Sequence, residues 1–353
     1  MSANELDEIM LRLKAEGSGG FPIPWGHFGD SAAEAGLLAN ECGWMDVRGW
    51  GVIKFEGEAV LQMLQGQLTL DVAGWSEGNG GYAAYLDRKG RMISDLILAQ
   101  PSPGQVRVLV HPNRIPVILK KLAPVAMLAD CTLRDASSED GRVLIAGPKA
   151  VTELLALGAP QALSELADYD SLQFNMQTFE LRAQALPDYG VPAFLIECEL
   201  SDSLEFIRWL AGNSGLPPVG FEAQEVLRIE SGTPRWGQEL SEDNLAPECN
   251  MAHAISYTKG CYVGQETVAR LRTYGQTNKR LCGFHSKEVL PAGSELFDGD
   301  KKVGWVTSTA FSHHLARPIA MGYAKRRHNE AGQILKDQDG NKVEIYSLPK
   351  HQE

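Results

Sequence analysis

The sequence predicts an α+β fold with two successive subdomains, each an antiparallel sheet with helices on one face, followed by a small β-barrel or sandwich. Three observations lead to this prediction. Strand-like and helix-like stretches alternate twice between about residues 50 and 211. From Leu281 onward, short apolar runs are broken by glycine and proline, with hardly any helix signal. A length of 353 residues also exceeds one ordinary core, so two or three domains are expected.

The N-terminal segment predicts a helix followed by a flexible connector. Apolar residues recur at helical spacing through residues 5–16, at Leu6, Ile9, Met10 and Leu13. Residues 17–20 are Gly-Ser-Gly-Gly, a composition typical of a connector or mobile loop. We therefore assign residues 1–30 to an N-terminal helix and glycine-rich connector.

The two mixed subdomains are expected within residues 31–275, and the barrel within residues 276–353. Strands are predicted at 51–55, 82–86, 92–99, 106–110, 142–146, 179–186 and 193–198. Helices are predicted at 58–65, 113–122, 149–157 and 203–211. Pro116 weakens the second of these helices because proline lacks a backbone N–H. The segment Arg88-Lys89-Gly90 predicts the turn of a hairpin.

Composition narrows the class of protein. Hydrophobic residues make up 44% and charged residues 22%, as in an ordinary globular protein. No run of about eighteen apolar residues exists, so we expect no membrane span. The N-terminus lacks the apolar stretch of a secretory signal, which favours a cytoplasmic protein. A formal net charge of −12 argues against a nucleic-acid partner, because phosphate binding needs a dense cationic face.

The cysteines favour a reducing compartment and argue against a resident metal. They are scattered, with no C-x-x-C pair, at Cys42, Cys131, Cys198, Cys249, Cys261 and Cys282. This spacing argues against a structural zinc site and against a cluster held by this chain alone. The adjacent His313 and His314 point apart and have no third ligand at metal spacing, so we predict no metal site.

The most informative stretch is the octapeptide of residues 259–266, K-G-C-Y-V-G-Q-E, which precedes a predicted helix. Gly260 and Gly264 permit backbone angles closed to other residues, so a sharp turn can present Cys261 outward. Lys259 and the positive end of the following helix both favour a thiolate. The alternative is a small apolar core residue, because free cysteine is usually buried and inert. Spacing alone leaves both interpretations open.

The octapeptide resembles the signature of the YgfZ-like folate-binding proteins. These are relatives of the glycine-cleavage T-protein (aminomethyltransferase), and they include mitochondrial iron–sulfur assembly proteins. Segments 57–72, 85–91, 227–234 and 303–308 also resemble blocks of that family, so the resemblance runs from about residue 33 to the end. It implies two ferredoxin-like subdomains around a central channel plus a C-terminal antiparallel β-barrel, with tetrahydrofolate in the channel.

The resemblance also implies folate-binding residues. Glu230 matches the glutamate that faces the pterin in the T-protein family, and a carboxylate can accept two hydrogen bonds from the N–C(NH2)–N edge of a pterin. Arg228 lies nearby, although two residues apart on a helix they face different sides. Tyr262 and Trp236 are candidates for stacking on the folate rings, with ordinary packing as the alternative. Arg270 is a candidate for binding an anion such as the glutamyl tail of folate, and a solvated face is its alternative.

Two departures from the transferases bear on catalysis. Aminomethyltransferases carry a pair of aspartates where this chain has Ser94-Asp95, and a serine cannot hold the negative charge that steers the reacting nitrogen. Asp95 is then the remaining candidate catalyst. Residues 188–192 also replace the "T-G-E-x-G" loop of those transferases. Both departures point away from glycine cleavage.

Our preferred hypothesis is a tetrahydrofolate-binding protein that supports iron–sulfur cluster assembly or repair, with Cys261 as the reactive thiol and Lys259 as its activator. The alternative is a folate-dependent one-carbon (aminomethyl) transferase or demethylase that uses Asp95. A cysteine hydrolase without folate is disfavoured, because no histidine lies in the cysteine loop. The expected partners are folate and client iron–sulfur enzymes or cluster-assembly proteins, with no membrane partner, and the chain is expected to be a monomer.

Overall fold

The computed structural model describes residues 3–12, 16–17, 25–275 and 277–349. Its α-helices in these ranges are α1 (Ala3–Arg12), α2 (Ser31–Asn40), α3 (Val60–Gln65), α4 (Ile115–Leu128), α5 (Ala150–Ala156), α6 (Leu200–Asn213), α7 (Phe221–Ser231) and α8 (Gln265–Tyr274). The strands before the C-terminal part are β1 (Glu16–Gly17), β2 (Trp25–His27), β3 (Gly43–Asp46), β4 (Gly51–Glu56), β5 (Gly80–Leu86), β6 (Met92–Ser102), β7 (Gln105–Val110), β8 (Thr132–Asp135), β9 (Asp140–Ala146), β10 (Ser171–Met176), β11 (Phe179–Ala185) and β12 (Ala193–Glu199). The C-terminal strands are β13 (Lys279–Ser286), β14 (Glu295–Asp298), β15 (Lys301–Ser312), β16 (Arg317–Lys325), β17 (Ile334–Lys336) and β18 (Lys342–Tyr346).

The chain divides into two compact units, each built from separate stretches of sequence. The first unit comprises Met1–Leu64, Val72–Tyr82 and Leu96–Gln224, and the second comprises Gln65–Asp71, Ala83–Asp95 and Glu225–Glu353. The second unit therefore contains the octapeptide, the turn at residues 87–91 and the C-terminal strands. The domain boundaries at residues 30 and 275 stay a prediction from the sequence.

One five-stranded sheet lies wholly within the first unit. Its strand order is β10-β11-β12-β9-β3, and every neighbouring pair is antiparallel. Helix α6 packs against this sheet with Phe206, Ile207 and Leu210, which recur at the spacing of one helical face. The ring of Phe179 on β11 meets that of Phe206 edge-on, with 5.2 Å between centroids. Burial of these apolar side chains holds the layer together.

The other five-stranded sheet has the order β5-β6-β7-β4-β8, and its strands β5 and β6 continue into the second unit. The hairpin predicted at Arg88-Lys89-Gly90 forms between them. Gly90 has a φ of 78°, in the left-handed region. The Asp87 carboxylate accepts the backbone N–H groups of Lys89 and Arg91. Helix α4 begins two residues later than predicted and ends six residues later, because it continues through Pro124 to Leu128, and Pro116 lies in its first turn, where a missing N–H is tolerated.

The second unit contains a closed six-stranded barrel with the order β13-β16-β15-β14-β17-β18. All its strand pairs are antiparallel, and β13 closes it by pairing with both β16 and β18. Its interior is apolar, with Phe284, Leu296, Val303, Val343 and Ile345 among the buried residues. The predicted fold class is thereby confirmed as mixed α and β with an antiparallel C-terminal barrel, and the barrel is the correct choice over a sandwich.

The N-terminal helix is present but ends earlier than predicted. Helix α1 places Met10 in the core of the first unit, and Asp7 pairs with Arg48 at 2.9 Å. Of the predicted glycine connector, Gly17 lies in β1, and residues 18–20 lie outside the described part of the chain. None of the helices in the described ranges has the length and apolar character needed to span a membrane.

Candidate functional site

Cys261 lies in a tight turn of the second unit that leads into helix α8. Residues 256–264, which we call the cysteine elbow, end at Gly264 with a φ of 86°. A Cβ atom on Gly264 would lie 2.7 Å from the carbonyl oxygen of Asp87, closer than atoms can approach. Gly264 therefore meets the predicted need for glycine, because both its dihedral and its neighbour exclude a side chain. Gly260 has no positive φ, and a Cβ placed on it would meet no atom within 4 Å, so the expectation is wrong there.

The thiol of Cys261 is exposed, whereas the other five cysteines are buried, all six being described. Burial raises the pKa of Cys42, Cys198 and Cys249 to about 12 and that of Cys282 to about 11, which keeps those thiols protonated. The alternative of a buried, inert Cys261 is thus wrong. Its chemical role stays a prediction.

Lys259 fastens the elbow to a distant stretch of the second unit. Its ammonium is buried and donates hydrogen bonds to the carbonyl oxygens of Leu68 at 2.8 Å and Leu70 at 2.5 Å. The same ammonium lies 5.3 Å from the centroid of the Tyr262 ring, a cation–π distance. Desolvation by burial lowers the pKa of Lys259 to about 8, against the opposing attraction of Asp71. These contacts give Lys259 a positioning role, in addition to the predicted activation of Cys261.

Further hydrogen bonds join residues 254–263 to residues 66–69. The N–H of Val263 donates to the Gly66 carbonyl at 3.2 Å, and the Thr69 hydroxyl donates to the Ala254 carbonyl at 2.6 Å. On the other side, a Cβ on Gly90 would lie 2.7 Å from Cβ of Thr267 in the first turn of α8. Three sequence motifs, at 64–72, 85–91 and 259–266, therefore form one contiguous structure around Cys261.

We expect Lys259→Met to change how stability depends on pH. Because the pKa of Lys259 falls from 10.5 to about 8 on folding, the unfolded chain binds more protons between these values. This group therefore makes the wild-type protein more stable as pH rises from about 8 toward 10.5. Urea unfolding at a series of pH values across this window should show that rise in the wild type relative to Lys259→Met. Parallel curves for the two proteins would refute the assignment.

Glu230 is tied to the barrel. Its carboxylate Oε1 accepts a hydrogen bond from the hydroxyl of Ser312, a fully buried residue on β15. In the described residues, Oε2 has no hydrogen-bond partner, so the half-buried carboxylate keeps acceptor capacity. The predicted contact of Glu230 with the pterin stays a prediction.

Arg228 is committed to a buried network. Its side chain is 2% exposed, and its guanidinium donates to the carboxylates of Glu225 and Glu239 at 2.8 Å each. It also donates to the Ser308 hydroxyl on β15 at 2.8 Å, as well as to Gln238 and the carbonyl of Thr233. Every N–H of the guanidinium therefore has a partner in the second unit. This network makes Arg228 a structural residue, and its predicted contact with folate has no support in these contacts.

Of the remaining candidates, Tyr262 lies in the cysteine elbow and Arg270 on the helix α8 that follows it, whereas Asp95 and Trp236 belong to other stretches of the second unit. Asp95 is half-buried, and Ser94 is fully buried. Burial and, to a smaller extent, the negative charge of Asp95 raise the pKa of Cys249. Trp236 is half-buried in the loop after α7. Arg270 is exposed on α8, whereas Tyr262 is 8% exposed.

Two members of the site escape sequence reasoning altogether. Leu68 and Leu70 bind Lys259 through their backbone carbonyls. Every residue possesses such a carbonyl, so the residue types at these positions carry no signal of that role. Only the spatial approach of the two stretches reveals it.

The described residues contain no metal-binding cluster. No group of three or more histidine, cysteine, aspartate or glutamate side chains there could hold a metal ion.

Comparisons with known proteins agree with the architecture. A family model described as the GCVT N-terminal domain matches residues 16–259, and the glycine cleavage T-protein C-terminal barrel domain matches residues 279–348. An aminomethyltransferase of Saccharopolyspora erythraea is 26% identical over 94% of this chain and 92% of its own length. A putative chloroplastic transferase of Arabidopsis thaliana is 26% identical over 82% of this chain and 67% of its own length.

Among solved structures, the aminomethyltransferase T of the glycine cleavage system from Bartonella henselae has a TM-score of 0.87 at 21% identity. The match covers 98% of this chain and 97% of that one, so the two share a fold. Because one family model covers more than half of the sequence and a second covers the barrel, this chain belongs to the glycine cleavage T-protein family.

Proposed function

We propose that this protein binds tetrahydrofolate and catalyses a folate-dependent one-carbon transfer of the aminomethyltransferase class. The observation that carries the proposal is the full-length match to relatives named aminomethyltransferase, together with both domains of the T-protein family. The octapeptide by itself favours iron–sulfur assembly, whereas these relatives favour the transferase alternative.

In this proposal, side chains of the second unit would bind the folate. Glu230 keeps free acceptor capacity for the N–C(NH2)–N edge of a pterin, because only Oε1 is bound to Ser312. Exposed Arg270 supplies a cation for a glutamyl carboxylate, and Trp236 supplies an aromatic face. Bound tetrahydrofolate would supply the nitrogens that carry the one-carbon unit. In this proposal Asp95 holds negative charge near the reacting nitrogen, and Arg228 supports the fold without touching the ligand.

Binding and turnover test the proposal separately. Titration with tetrahydrofolate, followed by tryptophan fluorescence, should give a saturable change that weakens in Glu230→Gln. Purified protein supplied with tetrahydrofolate and a panel of methylated amines should form methylene- or methyl-folate, and Asp95→Asn should reduce the rate by about 10²-fold or more. Absence of tetrahydrofolate binding would remove the proposal, and binding without any turnover would remove its transferase step.

A second candidate function is supported by two specific observations. Cys261 is the exposed cysteine of the chain and lies in an octapeptide that resembles the YgfZ-like signature. Ser94 stands where transferases have the first of two aspartates, which weakens the case for methylene transfer. On this alternative, the protein supports assembly or repair of iron–sulfur clusters in client enzymes, and Cys261 exchanges with a client thiol or transiently holds a sulfur species.

Cys261→Ser separates the two functions. If the thiol is essential to cluster assembly, this variant should bind tetrahydrofolate normally yet fail to rescue cluster-dependent enzymes in a deletion strain. Cys131→Ser is the matched control, because Cys131 is buried and should not affect rescue. Full rescue by Cys261→Ser would remove the thiol from the mechanism, and retained methyl transfer by the same variant would favour the transferase.

A further inference from the structure

Basic side chains from separate stretches of the sequence gather beside the cysteine elbow in the second unit. The first group is the exposed pair Arg88 and Lys89 in the hairpin turn between β5 and β6. That turn packs directly on α8, since Gly90 approaches Thr267 and Gly264 approaches Asp87. The two cations therefore lie at the end of α8 that follows Cys261.

The second group lies on α8 itself. Arg270 and Arg272 are both exposed, and the guanidinium of Arg272 lies 4.0 Å from the centroid of the Tyr257 ring. Tyr257 belongs to the cysteine elbow, so this cation–π contact places α8 alongside the loop that carries Cys261. The cations of α8 thus continue the surface begun by the hairpin turn.

The third group forms where β13 begins and β16 ends. The strand register places Lys279 opposite Lys325, and the N–H of Arg326 donates to the carbonyl of Asn278 at 2.9 Å. Arg280 and Arg327 extend the group and are exposed. The backbone bridge between Arg91 and Leu245 places the hairpin turn beside residues 246–248, which also contact β13 and α8. The Lys279 ammonium lies 5.4 Å and 4.7 Å from the ring centroids of Trp305 and Tyr323, and the Lys325 ammonium donates to the carbonyl of Lys302 at 3.0 Å.

We call these residues the basic surface: Arg88, Lys89, Arg270, Arg272, Arg280, Lys325, Arg326 and Arg327. In the part of the chain that the structure describes, none of these eight side chains forms an ion pair with an aspartate or glutamate. The acids nearest in sequence are Asp87, which accepts two backbone N–H groups, and the exposed Glu266 and Glu330. A chain with a net charge of −12 therefore keeps a group of cations without ion pairs next to its exposed thiol.

We propose that the basic surface is the docking site of an acidic protein, which thereby presents its reacting group to Cys261. The cations are exposed and spread over three elements, one of which is the ten-residue helix α8. At the usual rise per residue this helix is about 15 Å long. A small anion needs donors that converge on one point, whereas a protein surface can meet cations spread in this way. A nucleic acid extends beyond any local group of cations and would be repelled by the rest of an acidic chain. Arg270 is shared with the proposed folate site, and the other seven cations carry the inference without it.

Thiol–disulfide exchange at Cys261 tests the docking surface, with the thiol as a reporter. The probes are two synthetic peptides whose single cysteine is joined to 5-thio-2-nitrobenzoate, one rich in glutamate and one rich in serine. The Cys261 thiolate attacks the peptide sulfur, a new disulfide forms, and coloured thionitrobenzoate leaves with the electron pair. Because the other cysteines are buried, the colour reports Cys261 in the folded protein.

At low ionic strength the glutamate-rich probe should react on the order of tenfold faster than the serine-rich probe, through electrostatic steering. Added salt should abolish most of the difference, because exposed charges are screened. Arg88→Glu/Lys89→Glu/Arg326→Glu should remove the difference while leaving the rate with the serine-rich probe within about twofold. The matched control is Lys120→Glu/Lys121→Glu, which reverses exposed charges on α4 of the first unit and should keep the preference.

Equal rates for the two probes in the unmodified protein at low salt would overturn the proposal, whatever the variants do. Competition decides the class of partner. Unlabelled glutamate-rich peptide should slow the reaction of the acidic probe more than an RNA oligonucleotide at equal charge concentration. Stronger competition by RNA would replace the acidic protein with a nucleic acid. Neither result depends on tetrahydrofolate, so failure here is distinct from failure of the proposed transferase.

Discussion

Arg228→Ala should lower the free energy of unfolding of the second unit by about 3–5 kcal/mol, the usual cost of removing one partner of a buried ion pair. The substitution leaves Glu239, which is 1% exposed, without its cation, and removes the bond to Ser308 that links α7 to the barrel. Arg228→Lys should recover less than half of the loss, because one ammonium cannot replace a planar guanidinium that serves several acceptors.

Labelling of buried thiols during denaturation measures the loss of stability in the second unit. Cys249 and Cys282 are buried in the second unit, so the denaturant concentration at which they become labelled reports its unfolding. Arg272→Ala is the control, since this exposed arginine makes a cation–π contact and no ion pair among the described residues. It should change stability by about 0.5 kcal/mol or less. A loss below about 1 kcal/mol for Arg228→Ala would contradict the structural role and reopen its assignment to folate.

The second large effect is expected at Gly264. Its φ is left-handed, and a Cβ there would collide with the Asp87 carbonyl. Because a left-handed φ is costly for alanine, Gly264→Ala should destabilise the second unit by about 2 kcal/mol. Relief of the collision requires the hairpin turn to move away from α8. We therefore also expect altered reactivity of Cys261 toward a thiol reagent.

Gly260→Ala is a matched control within the same octapeptide. Gly260 has no positive φ, and a Cβ there would meet no atom within 4 Å. The stability of this variant should therefore stay within about 0.5 kcal/mol of the wild type. Unfolding curves and the rate of Cys261 alkylation should be measured for both variants. Equal behaviour of the two glycine variants would show that the turn geometry at Gly264 does not hold the elbow.

Much of the fold is predictable because local patterns dominate in regular elements. Sequence patterns place the strands β4, β7, β9 and β12 within about two residues of their observed ends, since alternation and β-branched residues mark them strongly. Helix α4 continues beyond its predicted end at residue 122, because the observed helix contains Pro124, a residue that normally marks a helix boundary in sequence. Strand β3 escapes prediction because only four residues form it and all are buried, so it shows no alternation.

The features of the candidate site that depend on residue type can be predicted from the sequence. Those that depend on which distant residues of the chain contact each other cannot. The glycine at 264 follows from the octapeptide, because a sharp turn needs glycine there. The exposure of Cys261 does not follow from spacing, which also allows a buried thiol, and the structure decides it. The partners of Arg228 do not follow, since Glu239 and Ser308 come from other elements. Sequence spacing places Arg228 near Glu230, yet each side chain bonds a different part of the barrel strand β15.

The fold class, the family and the octapeptide that carries Cys261 can all be read from the amino-acid sequence, because they depend on short-range patterns that each stretch carries alone. Only the tertiary structure decided that Lys259 binds the carbonyls of Leu68 and Leu70, that Arg228 is buried among acids, and that distant cations lie together beside Cys261. The reason is physical: long-range neighbours are set by chain crossings and strand register, and a backbone carbonyl or an exposed arginine looks the same in sequence wherever it folds.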